Sequence, residues 1–177
     1  MNQTFWSHDD ALKYLSSNPE VMLSESHRWD SDKEEYVHMP YWDDSGVSGS
    51  GSIVSNVVDF AKWIKSFINQ GGPLSTPGYT AVTTPVMPMP PQFPRIKGLC
   101  YAMGWMVGVY RGERIVFHPG GTDSYVSNML FLPDKKFGVV GMVNSANNAV
   151  INAPLFSLID DFLGVPEDQR EDDGLAK

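Results

Sequence analysis

His118-Pro119-Gly120-Gly121 is the stretch of this chain whose residue types and spacing could do chemistry together. A strand-like run, Arg114 to Phe117, apolar from Ile115 on, leads into it, and a second run opens shortly after, at Val126. A histidine held at the end of a strand, followed by glycines that let another molecule approach the backbone closely, is how some acyl-transfer sites are walled. The imidazole can donate a hydrogen bond or carry positive charge. On spacing alone a plain turn between strands fits the tetrad equally, because Pro and Gly are turn formers. No nucleophile with a base beside it is visible upstream, so the tetrad reads as half of an active site.

Composition bounds what such a site can act on. With 177 residues, 42% of them hydrophobic, the chain is the size of one domain and can bury a core. A net charge of -8 excludes a phosphate-neutralising surface, so nucleic acid is not an expected partner. No stretch reaches the ~20 apolar residues of a membrane span, and no basic segment followed by an apolar one opens the chain. The expectation is a soluble chain without a membrane partner, cytoplasmic by default. A single cysteine, Cys100, excludes an internal disulfide, and its strand-like surroundings make it a small core residue. No cofactor motif and no metal-ligand spacing is present. The hairpin histidines, His27 and His38, are read as a polar strand face.

The elements that must position the tetrad can be read from capping signals and periodicity. Ser7 with Asp10 starts a helix that continues through Ala11, Leu12, Tyr14 and Leu15, with His8 on the surface of its first turn. Arg28 to Trp42 reads as a hairpin turning at Asp30-Ser31-Asp32-Lys33. The run 46–52, rich in Gly and Ser, reads as a flexible connection. Asn56 with Asp59 starts a second helix, on which Val57, Phe60, Ala61, Ile64, Phe67 and Ile68 recur at helical spacing until Gly71-Gly72 closes it. Residues 73–98 read as an ordered proline-rich loop holding one short helix from Thr76 that ends by Pro85. Four strands follow as a meander, Leu99 to Val109, Arg114 to Phe117, Val126 to Leu132 and Phe137 to Val143. A last helix, Asn152 to Leu163, covers the sheet, and Asn147 and Asn148 are placed to cap it. The expected fold class is α+β: an antiparallel sheet with covering helices over residues 1–165, then a charged, frayed tail over 166–177. Trp29, Trp42, Trp63 and Trp105 are read as core or cleft wall.

The succession of motifs then resembles a known family. Ser55-Asn56 with Asp59-Phe60-Ala61-Lys62-Trp63, the proline-rich loop, Tyr101-Ala102-Met103-Gly104-Trp105, His118-Pro119-Gly120-Gly121-Thr122, Phe131-Leu132-Pro133-Asp134 and Asn144-Ser145 follow one another. In that order they resemble the C-terminal part of the serine beta-lactamase-related proteins, relatives of class C beta-lactamases, penicillin-binding proteins and esterases. The resemblance covers nearly the whole chain and implies the C-terminal part of a beta-lactamase/transpeptidase-like domain.

It also implies three chemical motifs: a Ser-x-x-Lys nucleophile, a Tyr-x-Asn or Ser-x-Asn proton-transfer partner, and a Lys-x-Gly or His-x-Gly strand. Only the third is here, as His118-Pro119-Gly120; no Ser or Thr has a Lys three residues on, and no Tyr-x-Asn occurs. Ser16-Ser17-Asn18 and Ser145-Ala146-Asn147 have the remaining spacing but the wrong place in the order. Met1 to Trp6 resembles the stretch that follows the family's second motif, which implies a chain starting inside the domain. By the resemblance, His118 and Gly121 are the catalytic residues, the first facing the reacting hydroxyls and the second donating its N–H to the oxyanion. Gly120 leaves room for the acyl group, and Thr122 and Asp123 are candidate substrate contacts, although short polar residues after Gly-Gly also form turns. The implied partners are a small acyl substrate once the site is completed, and a separate N-terminal fragment or a second copy through self-association. Alone the chain is expected to be catalytically silent or nearly so, and a non-catalytic binding module is the alternative.

Overall fold

A computed structural model describes residues 1–41, 46, 48–122 and 124–170. Three readings from the sequence, Trp42 as strand and wall residue, Asp123 as a substrate contact, and the tail beyond Arg170, lie outside the described residues.

Helix α1 (His8–Ser16) starts where expected: the Ser7 hydroxyl accepts the Asp10 N–H at 3.2 Å. Strands β1 (Ser26–Asp30) and β2 (Glu35–Met39) form the hairpin, an isolated two-stranded sheet. The Gly/Ser run is not simply a flexible connection, because Ser48–Gly51 closes one helical turn, α2. Ser52 behind it is buried, its hydroxyl 2.8 Å from the Ser48 carbonyl and 3.1 Å from that of Trp6.

Helix α3 (Val57–Asn69) is capped by Asn56, whose side chain accepts the Asp59 N–H at 3.0 Å. It closes one residue earlier than the Gly-Gly signal suggests: Gln70 itself takes the left-handed conformation (φ 49°), and Gly71 donates to the Ser66 carbonyl. Asp59 also accepts from the Gln3 N–H (2.8 Å), Thr4 Oγ1 (3.0 Å) and Lys62 Nζ (2.7 Å), which ties the N-terminal segment to this helix. The Lys62 ammonium foremost, against the opposing effect of burial and with the Gln3 and Thr4 donors helping, lowers the Asp59 carboxyl to about 2. Helix α4 (Thr76–Val82) is capped by Ser75 and carries Pro77 in its first turn.

The sheet has six antiparallel strands in sequence order: β3 (Met87–Pro88), β4 (Lys97–Tyr101), β5 (Met106–Tyr110), β6 (Glu113–Thr122), β7 (Tyr125–Leu132) and β8 (Phe137–Val143). The run Leu99 to Val109, read as one strand, is two. Gly104 (φ 78°) turns the chain between them, and the Ala102 N–H donates to the Trp105 carbonyl at 2.7 Å. Helix α5 (Asn148–Leu163) begins four residues earlier than its apolar pattern, because the Asn147 side chain caps it by accepting from Ala149 and Val150.

The register sorts the sheet into two faces. The row Met106, Phe117, Leu130, Val139 packs with Ile151, Leu155, Phe156 and Ile159 of α5. The adjacent row Val107, Val116, Phe131, Gly138 packs with Ile64 and Phe67 of α3. Two glycines of β8 let the helices come this close. A Cβ on Gly138 would lie 2.8 Å from Ile64 Cγ2, and one on Gly141 would lie 2.8 Å from Ile151 Cγ1. At the far end, the Tyr110 hydroxyl donates to the buried Asp160 of α5 at 2.8 Å, and Arg111 Nε lies 3.5 Å from the same carboxylate. Burial first, then the bond to Asp160, pushes the Tyr110 phenol up to about 12. Among the described residues no helix is long and apolar enough to cross a membrane.

Candidate active site

The tetrad is strand, not turn. His118, Pro119, Gly120 and Gly121 pair residue for residue with Met129, Asn128, Ser127 and Val126 of β7. On its other side β6 has a partner only as far as Phe117, which lies opposite Met106, the first residue of β5. From His118 to Thr122 that edge has no paired strand among the described residues. The cause lies in the sequence between β4 and β5: the Gly104 turn ends the ladder, and Trp105, buried edge-to-face against Phe67 (4.8 Å) and Phe131 (5.2 Å), fixes where it ends.

Tyr101, the last residue of β4, reaches across the gap. Its hydroxyl is 3.2 Å from His118 Nε2, and the rings stand 68° apart. Either the phenol O–H donates to an unprotonated Nε2, or a protonated Nε2 donates to the phenol oxygen. In both cases the bond fixes the orientation of the imidazole. Tyr101 was legible in the sequence only as one letter of a motif; its role follows from the turn that brings the ends of β4 and β6 together.

Each remaining candidate has a distinct setting. Gly120 lies opposite Ser127, and a Cβ there would sit 2.5 Å from Ser127 Oγ. Gly121 is exposed, and a Cβ on it would meet only the Tyr125 carbonyl at 3.9 Å. Thr122 closes β6 against α2, where a Cβ on Gly51 would lie 2.9 Å from Thr122 Cγ2. The two Ser-x-Asn stretches serve the local backbone instead: Ser16 and Asn18 bond the Lys13 and Tyr14 carbonyls, and Asn147 caps α5. Of the tryptophans, Trp105 is core, but Trp29 is 52% exposed on the hairpin, edge-to-face against Tyr36 at 5.2 Å.

The sequence profile of the Beta-lactamase family matches residues 14–163. The chain belongs to the Beta-lactamase family. Among curated proteins, it is 31% identical over 175 residues to the "Unguisins hydrolase ungD'" of Aspergillus campestris (strain IBT 28561), covering 97% of this chain and 32% of the relative. It is 33% identical over 158 residues to the "Unguisins hydrolase ungD" of Aspergillus violaceofuscus (strain CBS 115571), covering 80% and 28%. The chain thus spans about a third of the length of these relatives. Its fold is similar to that of the octameric penicillin-binding protein homologue from Pyrococcus abyssi, with a TM-score of 0.77 at 21% identity over 93% of this chain and 34% of that one. It is also similar to the D-stereospecific amidohydrolase from Streptomyces sp., with a TM-score of 0.61 at 19% identity over 81% and 40%. This member of the Beta-lactamase family therefore carries a beta-lactamase/transpeptidase-like α+β fold with a His-x-Gly strand in place.

Proposed function

We propose that this chain supplies the strand wall of an acyl-serine hydrolase site, one that cleaves a beta-lactam, ester or peptide bond. The observation that carries the reading is the unpaired edge of β6 at His118–Thr122, with the His118 ring held by Tyr101. Successive residues of a strand present their N–H and C=O groups to opposite edges. Proline has no N–H and is accommodated in a sheet where that position faces no partner. Pro119 on the open edge puts the Gly121 N–H, two residues on, at the same edge. There it serves as one oxyanion donor when a serine attacks the acyl carbon. His118 faces the negative charge that develops; the volume a Gly120 side chain would take is filled by Ser127 Oγ, which must turn aside to admit an acyl group.

The reading as a hydrolase is supported by the two curated relatives, each named an unguisins hydrolase. The nucleophile is not among these 177 residues in recognisable form: no Ser-x-x-Lys occurs, and the buried Ser52 hydroxyl donates to backbone carbonyls, those of Trp6 and Ser48. That absence favours a second reading, a binding module or complementing fragment of the same fold. One pair of experiments separates them. The purified chain alone should take up no fluorophosphonate or fluorescent penicillin label. Co-expressed with a segment carrying Ser-x-x-Lys and Tyr-x-Asn, it should hydrolyse an activated ester, and His118→Ala should slow that turnover by about a hundredfold, ~3 kcal/mol. Equal turnover by a folded His118→Ala pair would show that β6 is not the wall of the site.

A further inference from the structure

We propose that His27 and His38 form a two-histidine site for a divalent transition-metal ion, Zn²⁺, Ni²⁺ or Cu²⁺, clipping the β1–β2 hairpin shut. The two histidines lie eleven positions apart in sequence, which is why their spacing shows no motif, but the hairpin register puts them directly opposite each other. Directly paired residues point to the same face of a sheet. The ring centres are 5.8 Å apart at 75°. With metal to nitrogen distances of about 2.0–2.1 Å, an ion lies about 3.2 Å from each ring centre and can bridge rings up to about 6.4 Å apart. A tetrahedral angle needs about 5.2 Å, so closure by roughly 0.6 Å is required, within the reach of χ rotation by the exposed His38.

The tautomer is prepared as well. His27 Nδ1 lies 3.1 Å from the Glu25 carbonyl, an acceptor that places the proton on Nδ1 and leaves the Nε2 lone pair free for a metal. Among the described residues no group of three or more His, Cys, Asp or Glu side chains is placed to hold a metal ion, so water completes the coordination. Two imidazoles with open positions suit borderline metals, with Cu²⁺ bound most tightly. The ion has structural work to do here. An isolated two-stranded hairpin is marginal, and β1 is anchored to the sheet through the His27 N–H to the Asn144 carbonyl and Asn144 Nδ2 to the Glu25 carbonyl, both 2.8 Å.

The test is a titration of the purified chain with Zn²⁺ and with Ni²⁺ by calorimetry, with tryptophan fluorescence compared between wild type and Trp29→Phe to isolate Trp29, which lies two residues from His27 on the same hairpin face. One equivalent should bind, Ni²⁺ should quench Trp29, and hydrogen exchange of the β1–β2 amides should slow with Zn²⁺. His27→Ala and His38→Gln should each weaken binding at least about tenfold, whereas His8→Ala, whose ring stacks on Tyr41, should not. Circular dichroism checks that the variants fold; His38→Gln changes an exposed side chain and keeps the strand. Undiminished affinity in a folded His38→Gln variant, or binding that leaves Trp29 fluorescence and hairpin exchange unchanged, would overturn the proposal.

Discussion

Gly138→Ala and Gly120→Ala make the same chemical change on two strands of the sheet, β8 and β6, and should differ sharply in cost. At Gly138 the new methyl would lie 2.8 Å from Ile64 Cγ2, 3.0 Å from Phe131 Cβ and 3.1 Å from Ile68 Cδ1. Phe131 Cβ is fixed by its strand, and Ile64 is 2% exposed beneath α3, so relief requires lifting the helix from the sheet. Overpacking of this kind costs ~1–3 kcal/mol, of which ~0.4–1 kcal/mol is offset by the smaller entropy of the unfolded alanine chain. A net loss of about 1–2 kcal/mol corresponds to a fall of roughly 2–8 °C in Tm for a chain of this size. At Gly120 the nearest atom is Ser127 Oγ, the end of a short rotor that can swing aside, so stability should change by no more than ~0.5 kcal/mol. Urea unfolding followed by tryptophan fluorescence reads both, since Trp105 is buried in the cluster that includes Phe131. A lower midpoint at unchanged slope marks lost stability. If the two variants unfold together, or Gly138→Ala is the more stable, the close approach of α3 to β8 is not what holds that face.

Tyr110→Phe should destabilise the fold by ~1–3 kcal/mol, because it removes the donor to the buried Asp160 carboxylate; a denaturation midpoint equal to wild type would refute this. With the Tyr110 phenol raised from 10.0 to about 12, its contribution is complete below pH 10 and is lost as pH rises through 12, so the alkaline limb of a pH titration should flatten in Tyr110→Phe. Asp59 has the opposite sign: its carboxyl is lowered from 3.8 to about 2, so its contribution is present above pH 3.8 and lost as pH falls through 2. Asp59→Asn should remove that part of the acid limb, and an unchanged acid transition would deny the carboxylate its role. In the reconstituted hydrolase, Tyr101→Phe should lower kcat more than it raises KM, since the lost bond orients His118 without touching substrate; a pure KM effect would make Tyr101 a substrate contact instead.

Helices were legible wherever a short polar side chain could satisfy the first free N–H groups, as at Ser7 and Asn56, because that signal is local. The order of the sheet from β5 to β8 was legible for a similar reason, short turns between alternating apolar runs. What the sequence hid depends on tertiary partners. Leu99 to Val109 shows an unbroken strand-like composition, and only the Gly104 turn and the anchoring of Trp105 against Phe67 split it. Gln70 takes a left-handed conformation that the glycine next to it, Gly71, would adopt more cheaply, and no pattern announces this. The tetrad itself read as a strand end or a turn because Pro and Gly disfavour central strands. They are tolerated within β6 because its second half is an edge.

In the proposed role, that edge also accounts for how a glycine-rich segment is held rigid. Oxyanion stabilisation depends on donors fixed before charge develops, yet glycine is the most flexible residue. The restraint comes from both ends of the same strand. Immediately before the tetrad, Ile115, Val116 and Phe117 are 0%, 0% and 1% exposed, locked between the α3 and α5 layers. Within it, pairing to β7 holds His118 to Thr122 along one side, and Tyr101 holds the imidazole on the other. The free side of the strand is thus stiff, its backbone positions set by the core several residues away, as the proposed role requires.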